Sequence, residues 1–140
     1  MKILIAGDLV VNQSYAASDK IDTQLIELFE KSDCNIVNLE APVTASNSKI
    51  LKTGPHLKAD KKSTLDVLKR LNVNIATLSN NHIKDYDEQG VLDTIEFCVE
   101  NGIQPIGAGE NIEKASRTHV LKTDEGTIAI INIAENEWAS

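Results

Sequence analysis

The residues of this chain that are best suited to chemistry lie in one short segment, residues 79–85, with the sequence Ser-Asn-Asn-His-Ile-Lys-Asp. Asn80, Asn81 and His82 follow the apolar run at residues 73–78, which is β-branched and lacks helical spacing and therefore predicts a buried strand. Amide and imidazole groups bind metal ions and hydrogen-bond to oxyanions. Because ligands bind at the carboxyl ends of strands in open α/β sheets, this segment is predicted to form part of a site.

Two other predicted strands end in a carboxylate. Asp8 follows the predicted strand at residues 2–6, and Glu40 follows the predicted strand at residues 34–39. If these strands and the one before His82 are neighbours in a parallel sheet, their polar ends converge on one rim. Oxygen and nitrogen donors of this mix suit a divalent cation such as Mn, Zn, Fe or Mg. Such an ion would acidify a bound water and hold an anionic oxygen, so the pattern favours metal-assisted chemistry.

Each of these residues also has an ordinary structural interpretation. Asp8 can cap a turn, and Glu40 can be a solvated loop acid. Asn80 and Asn81 can satisfy the backbone of their own turn, and His82 can be a partly buried histidine. The hypothesis of a site therefore depends on the convergence of all these groups.

A long segment without periodicity, residues 42–59, separates the second predicted strand from the second predicted helix. Segments of this length inside a domain are usually functional or disordered. It contains lysines and no acids, although the whole chain is acidic, which favours contact with an anionic ligand. Lys52, His56 and Lys58 from this segment, together with Asn80, are the candidate substrate-binding residues.

The elements that position these residues follow the order β-α-β-α-β-α-β and then a hairpin, which predicts an α/β fold with a mainly parallel sheet and covering helices. Asp60 and Asp85 are expected to cap the second and third helices. The predicted helices cover residues 22–31, 60–71 and 85–100, and the later strands cover residues 103–106, 118–122 and 127–133. Apolar spacing predicts buried faces at Leu25, Leu28 and Phe29 in the first helix, and at Val91, Leu92, Ile95, Cys98 and Val99 in the third.

Composition narrows the function classes. The hydrophobic share of 41% is typical of one globular domain, and 21 acidic against 14 basic residues give a net charge of -7, which disfavours nucleic acids and anionic membranes as partners. No run reaches membrane-spanning length, and the apolar start is too short for a signal-peptide core. Cys34 and Cys98 are expected to be buried thiols rather than a disulfide, which favours a reducing, cytoplasmic location.

Several short motifs stand out along the chain: Gly-Asp-Leu at residues 7–9, Asn-Leu-Glu-Ala-Pro at 38–42, Lys-Thr-Gly-Pro-His-Leu-Lys-Ala at 52–59, Ser-Asn-Asn-His at 79–82 with Asp-Tyr at 85–86, Gly-Ala-Gly-Glu-Asn at 107–111 and Glu-Asn-Glu-Trp at 135–138. They resemble the motifs of the CapA-type capsule, or poly-γ-glutamate, synthesis proteins, a branch of the calcineurin-like metallophosphoesterase superfamily. Because these motifs extend over the whole chain in the expected order, the resemblance is specific.

The resemblance implies a metallophosphatase-like αββα sandwich, of which residues 1–140 correspond to the N-terminal half. Asp8 resembles a ligand of the first metal, Glu40 stands where the superfamily usually has a bridging Asp, Asn81 resembles the Asn of the second metal, and His82 resembles the proton donor. Val10 stands where the superfamily has a His, which departs from the standard two-metal centre. The His-containing motifs of the later half fall outside these residues.

The function expected from this resemblance is metal-dependent hydrolysis, of the phosphoesterase type, of an anionic substrate, with little turnover by this chain alone. The alternative is non-catalytic binding or handling of an acidic capsule polymer. A nucleotide-binding domain is less favoured, because residues 7–9 lack a glycine-rich phosphate turn. The expected partners are an anionic small molecule or acidic polymer, and a second copy or the missing half covering an exposed apolar sheet face.

Overall fold

In residues 1–12 and 20–135, which a computed structural model describes, four strands form a parallel sheet in the order β1-β2-β3-β4, and β5 and β6 form an antiparallel hairpin. The elements are β1 (Ile3–Leu9), α1 (Thr23–Glu30), β2 (Cys34–Leu39), α2 (Lys61–Arg70), β3 (Ile75–Thr77), α3 (Asp87–Glu100), β4 (Gln104–Ile106), α4 (Ile112–Ala115), β5 (His119–Thr123) and β6 (Gly126–Ile130). This arrangement confirms the predicted α/β fold with a parallel sheet. None of the helices in these residues is long and apolar enough to cross a membrane.

One face of the sheet, called here the helical face, packs against α1, α2 and α3 in the main hydrophobic core. This core forms because alternate strand residues are apolar and the helices carry apolar residues at helical spacing. The strands contribute Val37, Leu39 and Ala76, Leu78 follows directly after β3, and the helices contribute Ile26, Phe29, Val67, Leu68, Phe97 and Cys98. Leu39, Leu68 and Leu78 are completely buried, so the sheet and its helical layer form one packed unit.

The opposite face, called here the hairpin face, packs against the β5–β6 hairpin through a smaller core. Leu121 and Ile130 of the hairpin pack against residues of the sheet, which are Cys34, Ile36, Ile75 and Ile106. The hairpin leaves Ile5 of β1 exposed. A helical layer, a parallel sheet and the strands of a further layer are consistent with part of a metallophosphatase-like sandwich.

A register shift in β1 decides which face Asp8 lies on. Ile5 pairs with Ile36, but Asp8 pairs with Asn38, so β1 contains one more residue than β2 over this stretch. Strand side chains alternate between faces, and without the extra residue Asp8 would share the helical face with Ala6. The bulge therefore places Asp8 on the hairpin face beside Asn38.

The predicted faces of α1 and α3 need correction. Leu25 and Leu28 of α1 are exposed, and Ile26 is buried with Phe29 instead. Leu92 and Val99 of α3 are also exposed. Phe29 of α1 and Val91, Ile95 and Cys98 of α3 do pack in the main core as predicted, so the spacing of the large apolar residues placed each buried face only in part.

The buried face of α3 begins with small and polar residues, which explains the error there. A Cβ atom at Gly90 would lie 2.9 Å from Cβ of Tyr86, so glycine is needed for this close approach. Thr94 is fully buried, and its Oγ1 accepts a hydrogen bond of 2.9 Å from the N–H of Val43 and donates one of 2.6 Å to the carbonyl of Gly90. A hydrophobic pattern does not detect such positions.

The predicted N-terminal cap is correct for α2 but wrong for α3. Asp60 caps α2 and accepts a hydrogen bond of 2.8 Å from the N–H of Ser63. The prediction that Asp85 caps α3 is wrong, because the N-cap is Tyr86 and its side chain makes no capping hydrogen bond. The Asp85 carboxylate is buried and bonded to other groups, described below.

Candidate active site

The polar side chains at the carboxyl ends of β1, β2 and β3 meet on the hairpin face. In register, Asp8 lies beside Asn38 and Asn38 beside Thr77. The Asn38 amide donates a hydrogen bond of 2.6 Å to Oδ1 of Asp8. Its own Oδ1 accepts hydrogen bonds of 3.2 Å from Thr77 Oγ1 and from Asn80 Nδ2. The strand ends are therefore joined by a continuous polar network, as the sequence predicted for Asp8 but not for Asn38.

Asn80 shapes the turn that follows β3. Its Nδ2 also donates to the carbonyl of Leu39 at 3.2 Å, and its Oδ1 accepts from the N–H groups of His82 at 3.0 Å and Ile83 at 2.8 Å. Only 8% of Asn80 is exposed. These contacts give it a positioning role, and its role in substrate binding stays a prediction.

A second set of hydrogen bonds holds this turn against the segment after β6. Ser79 donates from its N–H to Oδ1 of Asn132 at 2.7 Å and from its hydroxyl to the carbonyl of Gly107 at 2.7 Å. Gly107 has a φ of +88°, and a Cβ atom there would lie 2.1 Å from Oδ1 of Asn132. Glycine is therefore required where β4 ends beside the candidate site.

His82 lies between two carboxylates on this rim. Its Nδ1 is 2.8 Å from Oδ2 of Asp85, and its Nε2 is 3.9 Å from Oε1 of Glu40. An ionised carboxylate can only accept hydrogen bonds, so Nδ1 carries a proton and donates the hydrogen bond to Oδ2 of Asp85. Nε2 is then the ring nitrogen that faces Glu40 and the rim.

Asp85 is a buried, ionised carboxylate. It is completely buried, forms an ion pair with the Lys52 ammonium, and accepts a hydrogen bond of 2.7 Å from the N–H of Leu57. Burial raises the pKa of this carboxyl, but hydrogen bonds from Lys52, His82 and Leu57, together with the charge of Lys52, outweigh it and bring the pKa below its ordinary value. Asp85 therefore remains charged at neutral pH.

Residues 42–59, called here the basic segment and predicted to bind an anion, make several contacts within the chain. The Lys52 side chain is 4% exposed and its Nζ is 3.3 Å from Nδ1 of His82. Lys58 donates a hydrogen bond of 2.6 Å to the carbonyl of Ser46, and its Nζ lies 4.6 Å from the centre of the Tyr86 ring. Lys52 and Lys58 therefore use their positive charge in contacts that stabilise the fold.

His56 is also engaged within the segment. Its Nε2 is 2.8 Å from the carbonyl oxygen of Ile50, to which it donates, and its ring meets the Tyr86 ring edge-on with centroids 6.5 Å apart. The substrate-binding roles of Lys52, His56 and Lys58 stay predictions. Their contacts show that a substrate would have to compete with hydrogen bonds already made.

The predicted metal ligands are two carboxylates and one amide oxygen. Asp8 is exposed, whereas Glu40 and Asn81 are partly buried. Within residues 1–12 and 20–135, no hydrogen bond involves the Asn81 side chain. In the same residues, no three His, Cys, Asp or Glu side chains are grouped so that they could hold a metal ion. Carboxylate and amide oxygens are the hard donors that divalent cations prefer, so the chemistry of these three side chains fits such an ion.

Sequence reasoning missed Asn38 and the role of Asp85. The signal for Asn38 is its position, since Cys34, Ile36, Asn38 and Glu40 alternate along β2 and must share one face. No local signal distinguishes Asp85 as a capping residue from Asp85 as a buried counter-ion. That distinction depends on Lys52, which is 33 residues away in the chain.

Comparison with known proteins places the chain in a family. The profile of the family described as bacterial capsule synthesis protein PGA_cap matches residues 2–140. The chain is 33% identical over 120 residues to the PGA biosynthesis protein CapA of Bacillus subtilis, covering 84% of this chain and 31% of that protein. It is 30% identical over 99 residues to the capsule biosynthesis protein CapA of Bacillus anthracis, covering 69% and 24%.

A third relative is a probable polyglutamine synthesis accessory protein of Mycobacterium tuberculosis, 31% identical over 90 residues, which cover 64% of this chain and 23% of the relative. The chain thus spans less than a third of the length of these curated relatives. The family match covers the motifs on which the resemblance was based. The chain belongs to the bacterial capsule synthesis protein PGA_cap family.

Proposed function

We propose that this chain forms the first part of the active site of a metal-dependent hydrolase, of the phosphoesterase type, that acts on an anionic substrate in capsule or polyglutamate synthesis. One observation carries the proposal. Nε2 of His82, whose Nδ1 is bonded to the buried Asp85, lies 3.9 Å from Oε1 of Glu40 at the end of β2, and Asp8 lies at the end of the neighbouring strand β1, beside Asn38. Membership of the capsule synthesis family supports the biological setting.

The residues of the rim divide into cation ligands and a proton donor. Asp8, Glu40 and the Asn81 amide oxygen would hold a divalent cation. Bound there, the cation would act as a Lewis acid and neutralise the charge of the substrate. Because its Nδ1 is bonded to Asp85, His82 would act through Nε2: the doubly protonated, cationic ring would give its Nε2 proton to the leaving oxygen and become the neutral ring with the lone pair on Nε2.

Charge supports the need for a cation. The chain has a net charge of -7, and Asp8 and Glu40 add local negative charge at the rim itself. Such a surface repels an anionic substrate unless a positive ion intervenes. The nearest lysine to His82, Lys52, is neutralised by Asp85 and does not supply that charge.

Metal titration of the 140-residue chain tests the proposal. We expect Mn²⁺, followed by isothermal titration calorimetry, to bind the wild-type chain and to bind the Glu40→Ala variant at least tenfold more weakly. Glu30→Ala, which removes an exposed carboxylate from the last residue of α1, is the matched control and should bind as the wild type does. Equal affinity of the wild type and Glu40→Ala would contradict the proposal.

A second candidate is non-catalytic binding of an acidic polymer, which is favoured by the names of the relatives and by the lysines of residues 42–59. Binding of poly-γ-glutamate in the presence of EDTA, weakened by Lys49→Ala and Lys58→Ala, would support it. Metal-dependent binding that is unaffected by these lysine substitutions would support the hydrolase instead.

A further inference from the structure

We infer that Asp85 is a positioning residue that couples two features of the site: the orientation of the His82 ring and the packing of residues 42–59 against it. Lys52 is the counter-ion that makes this coupling possible. The catalytic meaning of the coupling rests on the proposed function, but the coupling itself is a property of the fold.

The contacts of Asp85 join two separate parts of the chain. Its Oδ2 accepts from His82 Nδ1 at 2.8 Å, on the turn after β3, and from the N–H of Leu57 at 2.7 Å, in the basic segment. Its Oδ1 pairs with Lys52. Its backbone carbonyl accepts a hydrogen bond of 3.2 Å from the N–H of Ile50. One residue therefore connects the basic segment to the ring at several atoms.

Burial makes these contacts depend on one another. The Asp85 side chain is completely buried, and that of Lys52 is 4% exposed. Removing one partner of a buried ion pair leaves an uncompensated charge, which is strongly unfavourable. The basic segment therefore cannot withdraw Lys52 without disturbing the carboxylate that holds His82.

The adjacent residue, Tyr86, reinforces the same connection. Its buried ring lies 4.6 Å from Nζ of Lys58 and 5.9 Å from Nζ of Lys49, both in the basic segment. Cation–π contacts of this kind add attraction between the segment and the start of α3. The Asp85-Tyr86 pair thus adds contacts to a segment that has no helix or strand.

The chemical consequence concerns the tautomer of His82. An ionised Asp85 accepts only from an N–H, so it selects the ring form that has its proton on Nδ1 and its lone pair on Nε2. An amide in its place presents both a donor and an acceptor and no longer selects one form. Asp85→Asn should therefore allow the second tautomer of His82 and, at the same time, loosen the packing of residues 42–59.

The test uses the 140-residue chain without metal or substrate, in a buffer in which the nitrogen-15 shifts show a neutral His82 ring. Nitrogen-15 shifts of the His82 ring report the tautomer, and hydrogen exchange at the N–H groups of Ile50 and Ala59 reports the packing of the segment. In the wild type, Ala59 donates to the carbonyl of Pro42 at 3.0 Å, so its exchange follows the segment rather than Asp85 itself.

For Asp85→Asn we expect a mixture of tautomers and exchange at least tenfold faster at Ile50 and Ala59. The double variant Lys52→Met with Asp85→Asn carries no buried charge and should show the same two changes in a chain that still folds. Asp66→Asn, at an exposed position of α2, is the matched control and should change neither signal.

Wild-type tautomer signals and exchange rates in the double variant would overturn the inference. A change in only one of the two signals would also overturn it, because the orientation and the packing would then be independent. Because this experiment contains no metal or substrate, its failure would remove the positioning role of Asp85 but not the metal binding by which the proposed hydrolase is tested. If the proposed hydrolase function were wrong, the coupling of His82 to residues 42–59 through Asp85 would still stand.

Discussion

Asn38 donates a hydrogen bond of 2.6 Å to Oδ1 of Asp8, across the ends of β2 and β1. The contact exists because the bulge in β1 moves Asp8 onto the hairpin face. It fixes Oδ1 of this predicted metal ligand, while Oδ2 accepts no hydrogen bond from residues 1–12 and 20–135. Asn38 is therefore expected to support the candidate site without binding the cation itself.

Removing this support should weaken metal binding. Residues that orient a metal ligand contribute about 10- to 100-fold to affinity, so we expect Asn38→Ala to bind Mn²⁺ about tenfold more weakly than the wild type. Calorimetric titration measures the change. Asn101→Ala, at the C-terminal end of α3, is the control and should bind normally. Undiminished affinity in Asn38→Ala would show that Asp8 needs no such support.

Acid should destabilise the fold through Asp85. Its pKa is lowered in the folded state from an ordinary value of 3.8, so its contribution to stability is present above that value and is lost as pH falls through the lower folded pKa. We expect the free energy of unfolding, measured with urea, to fall below about pH 4. The double variant Lys52→Met with Asp85→Asn should show a shallower fall, and an identical acid dependence would contradict the assignment.

The cysteine thiols should be unreactive in the folded chain. Cys34 and Cys98 are buried and free, and burial raises the pKa of both, that of Cys98 to about 12. The thiolate is the reactive form, so a thiol reagent such as Ellman's reagent should react slowly with the native protein and fully after denaturation. Rapid modification of Cys98 in the native state would show that this part of the core opens readily.

The hairpin side of the molecule should promote self-association. Ile5 is 77% exposed, and Ile131 and Ile133 after β6 are 66% and 82% exposed. Exposed apolar residues of this size are typical of surfaces that associate. We expect light scattering to show dimers or larger species that become fewer in Ile5→Lys. A monomer at every concentration tested would rule out this expectation.

The sequence correctly predicted features that depend on residues close together in the chain. The bounds of β2, Cys34–Leu39, match the prediction, because an apolar run lies between polar residues and ends before Pro42. Asp60 caps α2 as expected, since the cap is decided by residues within one turn. The parallel sheet was also predicted correctly, because alternating strands and helices favour parallel pairing.

Features that depend on pairing between distant segments were not predictable. The bulge in β1 is defined only relative to β2, and the role of Asp85 is defined only relative to Lys52. The rotation of α3 depends on Gly90 and Thr94, which carry no hydrophobic signal. In each case the missing information is the neighbour in space.

The most direct test of the proposed cation site at Asp8, Glu40 and Asn81 is the effect of Mn²⁺ on the amide NMR spectrum of the chain. The paramagnetic ion broadens signals according to their distance from it. We predict the strongest broadening at Asp8, Glu40, Asn81 and their chain neighbours, and its loss in Glu40→Ala. Broadening centred elsewhere, such as on the acidic hairpin turn at Asp124 and Glu125, or broadening unchanged in Glu40→Ala, would contradict the account.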